Sequence, residues 1–117
     1  MHKETILKHY IICALWSSTD DDGEPLDSVY TVDDISAQAI KQMRIEVSNF
    51  IKDNESLLIE SGQSDEQIGH DFWLTRNGHG AGFWDRGLGA VGDALTKASK
   101  SYGGSDLYIG DDGLIYC

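Results

Sequence analysis

The stretch Ser64-Asp-Glu-Gln-Ile-Gly-His-Asp-Phe-Trp-Leu-Thr-Arg-Asn-Gly-His-Gly-Ala-Gly-Phe-Trp-Asp-Arg-Gly87 decides whether this chain is built mainly of helices or of hairpins. Ser64 followed three residues later by Gln67 matches a capping box, in which the serine hydroxyl accepts from an orphan N–H of the first helical turn. Ile68 and Phe72 come next at one-turn spacing, so a helix starting there would run to Asn77-Gly78. The same letters allow a hairpin, with Asp71-Phe-Trp-Leu-Thr75 paired to Ala81-Gly-Phe-Trp-Asp85 across Asn77-Gly78-His79-Gly80. A capped start outranks an off-centre turn, and the helix is the expected form.

Working outward, Leu88, Val91, Leu95 and Ala98 keep helical spacing up to Gly103-Gly104, which predicts a short helix within 87–102. Asp106-Leu-Tyr-Ile109 and Leu114-Ile-Tyr116 flank Gly110-Asp-Asp-Gly113, the strongest hairpin signal in the chain. On the other side, Thr31-x-x-Asp34 resembles a capping box with Asp in place of Glu. Ile40, Met43, Val47, Phe50, Ile51 and Leu58 then fall on one side at 100° per residue, which predicts one long helix from Thr31 to a left-handed Gly62. Residues 4–17 place Ile6, Tyr10, Cys13 or Ala14, and Trp16 near one helical face, while Ile11-Ile12 would also suit a buried strand. The expected fold is α+β: a helix-rich single domain spanning 1–117, with a C-terminal β-hairpin packed on helices.

One core is what 117 residues support, because two would each fall below the length that usually folds unaided. Forty per cent hydrophobic residues, with three Trp, five Tyr and three Phe, exclude a disordered tail. The formal net charge of -11 is the reverse of the footprint left by nucleic-acid or anionic-membrane binding, so neither is an expected partner. The apolar run from Tyr10 to Trp16 is too short for a membrane span and lacks the flanks of a signal peptide. Cys13 lies inside that run, and Cys117 is remote from it, with no metal or redox spacing between them. A reducing, cytoplasmic setting fits two free thiols.

The charge is concentrated. Seven of the twenty acidic residues and no base fall in 19–34, which reads as a solvated acidic loop around the only proline. Glycine is distributed the other way, with ten of thirteen between Gly78 and Gly113. Two candidate sites follow. On the acidic side, Asp20, Asp21, Asp22, Glu24 and Asp27 belong to the loop, and Glu46, Asp53 and Glu60 recur every seven residues along the expected long helix. Such a surface suits a partner protein with a basic face, because complementary charge raises association rate and specificity. On the glycine-rich side, Arg76, Asn77, His79, Asp85 and Arg86 could form a small-ligand or phosphate-binding module, with or without catalysis. Flexible glycines there allow close backbone approach, Asp85 could orient the imidazole, and the arginines could meet an anion. The competing reading of this segment is structural: Phe72, Trp73, Phe83 and Trp84 are core, the glycines permit a tight reversal, and Asp71, Arg76, Asp85 and Arg86 are ion pairs closing its rim.

Other signals are weak. No G-x-S-x-G elbow sets up a nucleophile, and Gly78-His-Gly-Ala-Gly82 lacks the lysine and Ser/Thr of a P-loop. Gly87-x-Gly89-x-x-Gly92 matches the dinucleotide pattern as letters but has no hydrophobic strand before it. Asp20-Asp-Asp-Gly-Glu24 fails the EF-hand spacing, and the histidines lack zinc-ligand spacing. No cofactor, metal or catalytic residue is expected.

The run Gly69-His-Asp-Phe-Trp-Leu-Thr-Arg-Asn-Gly-His-Gly-Ala-Gly-Phe-Trp-Asp-Arg-Gly87 and the ending Asp106-Leu-Tyr-Ile-Gly-Asp-Asp-Gly-Leu-Ile-Tyr116, together with Ala14-Leu-Trp-Ser-Ser-Thr-Asp-Asp-Asp-Gly-Glu-Pro-Leu-Asp27, resemble small acidic, uncharacterised proteins of tailed bacteriophages and prophages. That resemblance implies a bacterial host cytosol and an accessory product of the kind that inhibits host or defence proteins. The expectation is therefore a non-enzymatic phage accessory protein that binds and inhibits a host or anti-phage defence protein, such as a CRISPR or restriction component, through an acidic and aromatic surface.

Overall fold

A computed structural model describes residues 1–20 and 22–117. Its elements in chain order are α1 (Lys3–Ser17), α2 (Ala37–Asp53), α3 (Glu55–Ser61), α4 (Asp65–Arg76), α5 (Ala90–Lys100), β1 (Tyr108–Ile109) and β2 (Ile115–Tyr116). Single 3-10 turns at Leu26–Ser28, Val32–Asp34 and Phe83–Asp85 join them. The α+β reading, helix-rich with a C-terminal antiparallel hairpin, is the observed fold.

The Ser64–Gly87 stretch is helical as far as Arg76. Ser64 Oγ accepts from the Gln67 N–H at 3.2 Å, α4 runs to Arg76, and Gly78 at φ +69° turns the chain away. Gln67 does not close a reciprocal box; its amide instead donates to Asp71 Oδ1 at 2.8 Å, one turn on.

The expected helix from Thr31 to Gly62 is corrected in two places. Thr31 and Asp34 do interact, the Thr31 N–H donating to the Asp34 carboxylate at 2.8 Å, but they close only a 3-10 turn. The cap of α2 is Ser36, whose hydroxyl accepts from the Ala39 N–H at 3.0 Å. The helix then breaks at Asn54. Its side-chain amide donates to the Phe50 carbonyl at 2.9 Å, beside the main-chain bond from its own N–H at 3.1 Å, as Asn does where it competes with the helical ladder. The offset lets α3 bury Leu58 before Gly62, at φ +67°, ends it.

Helix α1 sits at the centre. Ile6, Tyr10, Cys13 and Ala14 are buried, as are Leu7, Ile11 and Leu15 around the other side, whereas Trp16, expected on the inner face, is 58 % exposed. α1 packs most extensively on α4, and Gly69 makes this possible: a Cβ there would stand 2.4 Å from the Ile6 carbonyl oxygen and 2.8 Å from the Tyr10 nitrogen. Around that crossing the core is aromatic. The Phe50 and Phe72 rings stack at 4.0 Å, and Tyr10 meets Trp73 edge-on at 5.3 Å. Phe83 is fully buried beside them, while Trp84 is exposed.

The hairpin pairs Tyr108 with Tyr116 and Ile109 with Ile115. Ile115 is buried and also bridges Ile35 in parallel, the Ser36 N–H donating to its carbonyl at 2.8 Å. β2 is therefore covered on both edges, which ties the C-terminal hairpin to the N-terminus of α2.

Candidate functional site

The five residues of the glycine-rich candidate occupy three different environments. Arg76 faces inward from the last turn of α4 and is 6 % exposed. Its guanidinium donates to the Tyr10 hydroxyl at 3.0 Å, Glu46 Oε2 at 2.8 Å, the Gly103 carbonyl at 2.9 Å and the Tyr102 carbonyl at 3.2 Å. It also lies 5.8 Å from the Phe72 ring centre and 5.7 Å from that of Tyr102. Burial opposes its charge, but Tyr10 and Glu46 outweigh that, and the guanidinium is held charged more firmly than usual. Four of its five N–H donors are spent on holding α1, α2 and the 102–103 corner together.

Arg86 belongs to a second cluster. It clamps the fully buried Asp71 with two bonds, Nε at 3.2 Å and Nη2 at 2.9 Å, while Gln63 and Gln67 donate from the other side at 3.3 and 2.8 Å. Asp85 lies 3.6 Å from Arg86 and accepts from the Gly82 N–H at 3.2 Å, closing the 3-10 turn. His79 is exposed, and Asn77 caps α4 and uses its side-chain oxygen to accept from the Ser105 N–H at 2.7 Å. Asn77 and His79 share a depression of about 280 Å³ with Ser17, Trp73 and Asp106, to which neither arginine contributes.

The acidic candidate is rearranged as well. Asp53 ends α2 and Glu60 lies on α3, so with Glu46 they do not follow a single helix, and Glu46 is already paired with Arg76. The described residues of 19–34 are tied down more firmly than charge repulsion predicts. Asp20 Oδ1 accepts from the N–H groups of Asp22 and Glu24 at 2.9 and 3.0 Å, Thr19 bridges Pro25, and Leu26 is buried, pinning the turn to the core. Glu24 and Asp27 are exposed on it; Asp21 lies outside the described residues.

A placement absent from the sequence reading emerges at this turn. Thr19, Asp20, Asp22 and Leu26 line one wall of a groove of about 360 Å³, and Leu107, Tyr108 and Ile109 line the other. Thr19 and Leu107 are shared with the depression that holds Asn77 and His79, so the two run into one another. On the far side of Tyr108, a third depression is lined by Gly110, Asp111, Asp112 and Tyr116. Tyr108 is 57 % exposed and stacks on Tyr116 with ring centres 5.9 Å apart. The Tyr116 hydroxyl donates to Asp112 Oδ2 at 2.6 Å, which holds that carboxyl below its ordinary range. Acidic segments about ninety positions apart in the chain thus flank one exposed tyrosine. Sequence spacing had no means of reporting this, because the contact depends on how α1 and the hairpin dock.

Elsewhere, His9 on α1 and His70 on α4 stand with ring centres 6.1 Å apart. Among the described residues no group of three or more His, Cys, Asp or Glu is placed to hold a metal ion, and no helix is long and apolar enough to cross a membrane. No family model matches the chain, and no curated protein or solved structure is significantly similar to it.

Proposed function

We propose that this is a non-enzymatic binding protein, an accessory product of the kind made by tailed phages, that engages and inhibits a host or anti-phage defence protein carrying a basic surface. The observation that supports the reading most is the meeting of Asp20 and Asp22 with the Tyr108 hairpin across one groove, which presents carboxylates on both sides of a half-exposed, pre-stacked aromatic pair. Protein interfaces favour this composition: rigid tyrosine supplies contact area at low entropic cost, and surrounding charge steers the partner and rejects wrong ones. A fixed acidic turn is better suited to that work than a mobile one, because its carboxylates are ordered before the partner arrives.

The test is affinity capture from bacterial lysate with two baits, the native protein and an Asp20→Asn/Asp22→Asn/Tyr108→Ala variant, followed by assay of the captured protein. The expected result is a basic protein retained by the native bait at low salt, released at high salt, absent from the variant bait, and inhibited when the native protein is added back. Capture that is indifferent to the substitutions, or a captured enzyme left fully active, overturns the proposal.

A further inference from the structure

The groove beside the acidic turn has an unusual wall. Tyr108 and Ile109 are consecutive in β1, where successive side chains point to opposite faces, so both can line one groove only along a main-chain edge, and Leu107 extends that wall just before the strand. The hydrogen-bond register shows which groups that edge presents. The Gly110 N–H donates to the Leu114 carbonyl at 2.8 Å, and bonded and non-bonded pairs alternate in an antiparallel ladder. The next pair, Ile109 with Ile115, is therefore non-bonded, and the following one, Tyr108 with Tyr116, is bonded. The Ile115 carbonyl confirms this by turning away from β1 to accept from Ser36. The N–H and C=O of Ile109 accordingly point outward from the sheet. Leu107 is two residues earlier on the same edge, and among the described residues its main-chain groups have no hydrogen-bond partner.

β2 is covered on its outer side by Ile35, whereas the outer side of β1 faces the groove and the acidic turn. An open strand edge is a template for another chain, and protein recognition by strand addition uses such edges. Across the groove stand Asp20 and Asp22, the former locked by the two N–H bonds to its Oδ1. We infer that the partner binds here by strand addition: an extended segment bearing lysine or arginine at alternate positions bonds through its main chain to Leu107 and Ile109, while its basic side chains reach Asp20 and Asp22. This rests on the binding function proposed above and specifies how the partner is held. A helix or a folded basic surface could satisfy the carboxylates but not the strand edge.

The probe is a fluorescein-labelled, end-capped decapeptide of alternating lysine and threonine, measured by fluorescence polarisation. Two further versions carry N-methyl groups on every second residue, in one phase or the other, so that each blocks one edge of the peptide strand. Strand addition predicts that the parent binds at low salt, that one methylated phase binds at least about tenfold more weakly because main-chain bonds are lost, and that the other phase binds like the parent. The Asp20→Asn/Asp22→Asn variant should bind the parent more weakly and with a shallower salt dependence. On binding, hydrogen exchange at the Ile109 amide should slow. If both methylated phases bind as the parent does, the inference falls and the acidic face acts by charge alone, with the binding function intact. If neither the peptide nor a folded basic protein such as lysozyme binds at low salt, the binding function falls with it.

Discussion

Replacing Arg76 by alanine should cost this protein a large part of its stability, which distinguishes a structural brace from a ligand-binding arginine. The substitution strands the Glu46 carboxylate, the buried Tyr10 hydroxyl and the carbonyls of Tyr102 and Gly103, and it removes the guanidinium that lies against the Phe72 and Tyr102 rings. Removing one partner of a buried pair costs about 3–5 kcal/mol. Glu46 keeps some access to solvent at 16 % side-chain exposure, so the lower half of that range, about 3–4 kcal/mol, is expected. A chain of 117 residues has on the order of 6–18 kcal/mol in total. With a urea m-value of about 2 kcal/mol/M, the midpoint should fall by about 1.5–2 M. Arg76→Lys restores charge without the planar fork and should recover only part of the loss. Combining Arg76→Ala with Glu46→Gln should be less than additive by about 1 kcal/mol or more, because the second change removes the stranded charge. Urea unfolding followed by tryptophan fluorescence reads the native protein, Arg76→Ala, Arg76→Lys, Glu46→Gln and the double variant, five proteins in all. An Arg76→Ala midpoint within about 0.3 M of the native one, about 0.6 kcal/mol or less at that m-value, would refute the reasoning.

Three further outcomes follow from the same packing. Gly69→Ala forces a Cβ onto α1 main-chain atoms that cannot yield, so it should destabilise by about 2 kcal/mol despite the better helix propensity of alanine. Gly80→Ala, in open space, should stay within about 0.5 kcal/mol of native, and equal midpoints for the two would contradict the close crossing. Burial, helped by the neighbouring His9, lowers the His70 pKa from 6.5. Its contribution to stability is therefore full above 6.5 and is lost as pH falls from there toward the folded value, because the unfolded chain binds the proton first. The decline in melting temperature across that interval should flatten in His70→Gln, and an unchanged slope counts against the assignment. Burial pushes the Cys13 thiol up to about 12, and it raises the exposed Cys117 thiol as well, so in the native protein a thiol reagent should modify Cys117 first, more slowly than a free thiol, and Cys13 only after unfolding; rapid double labelling would contradict a sealed α1–α4 interface.

Much of the local structure was legible because local rules govern it. The Ser64 cap, the left-handed Gly62, the helix stop at Asn77-Gly78 and the Gly-Asp-Asp-Gly hairpin are each decided within a few residues, and each is present. The misread cap of α2 shows how close alternatives can be. Thr31 and Ser36 both offer an oxygen to a nearby N–H, and the choice between them follows from the Ser36–Ile115 main-chain bond, which joins residues 79 positions apart. The break at Asn54 was also unforeseen, because an asparagine that bonds its own helix and one that points to solvent are the same letter.

The candidate sites depended still more on the third dimension. Arg76 and Arg86 lie ten residues apart in a segment that seemed to gather them, yet α4 turns Arg76 toward Tyr10 and Glu46 while the reversal after Gly78 carries Arg86 back to Asp71. The sequence by itself determined that this is one acidic, helix-rich domain with a hairpin at its end, since composition, periodicity and capping are properties of neighbours along the chain. Only the tertiary structure decided that the acidic turn and the hairpin meet across one groove, with a strand edge between them that no described residue pairs with. That juxtaposition arises from the burial of Leu26 and Ile115 in a common core, and hydrophobic burial joins residues without regard to their separation in sequence.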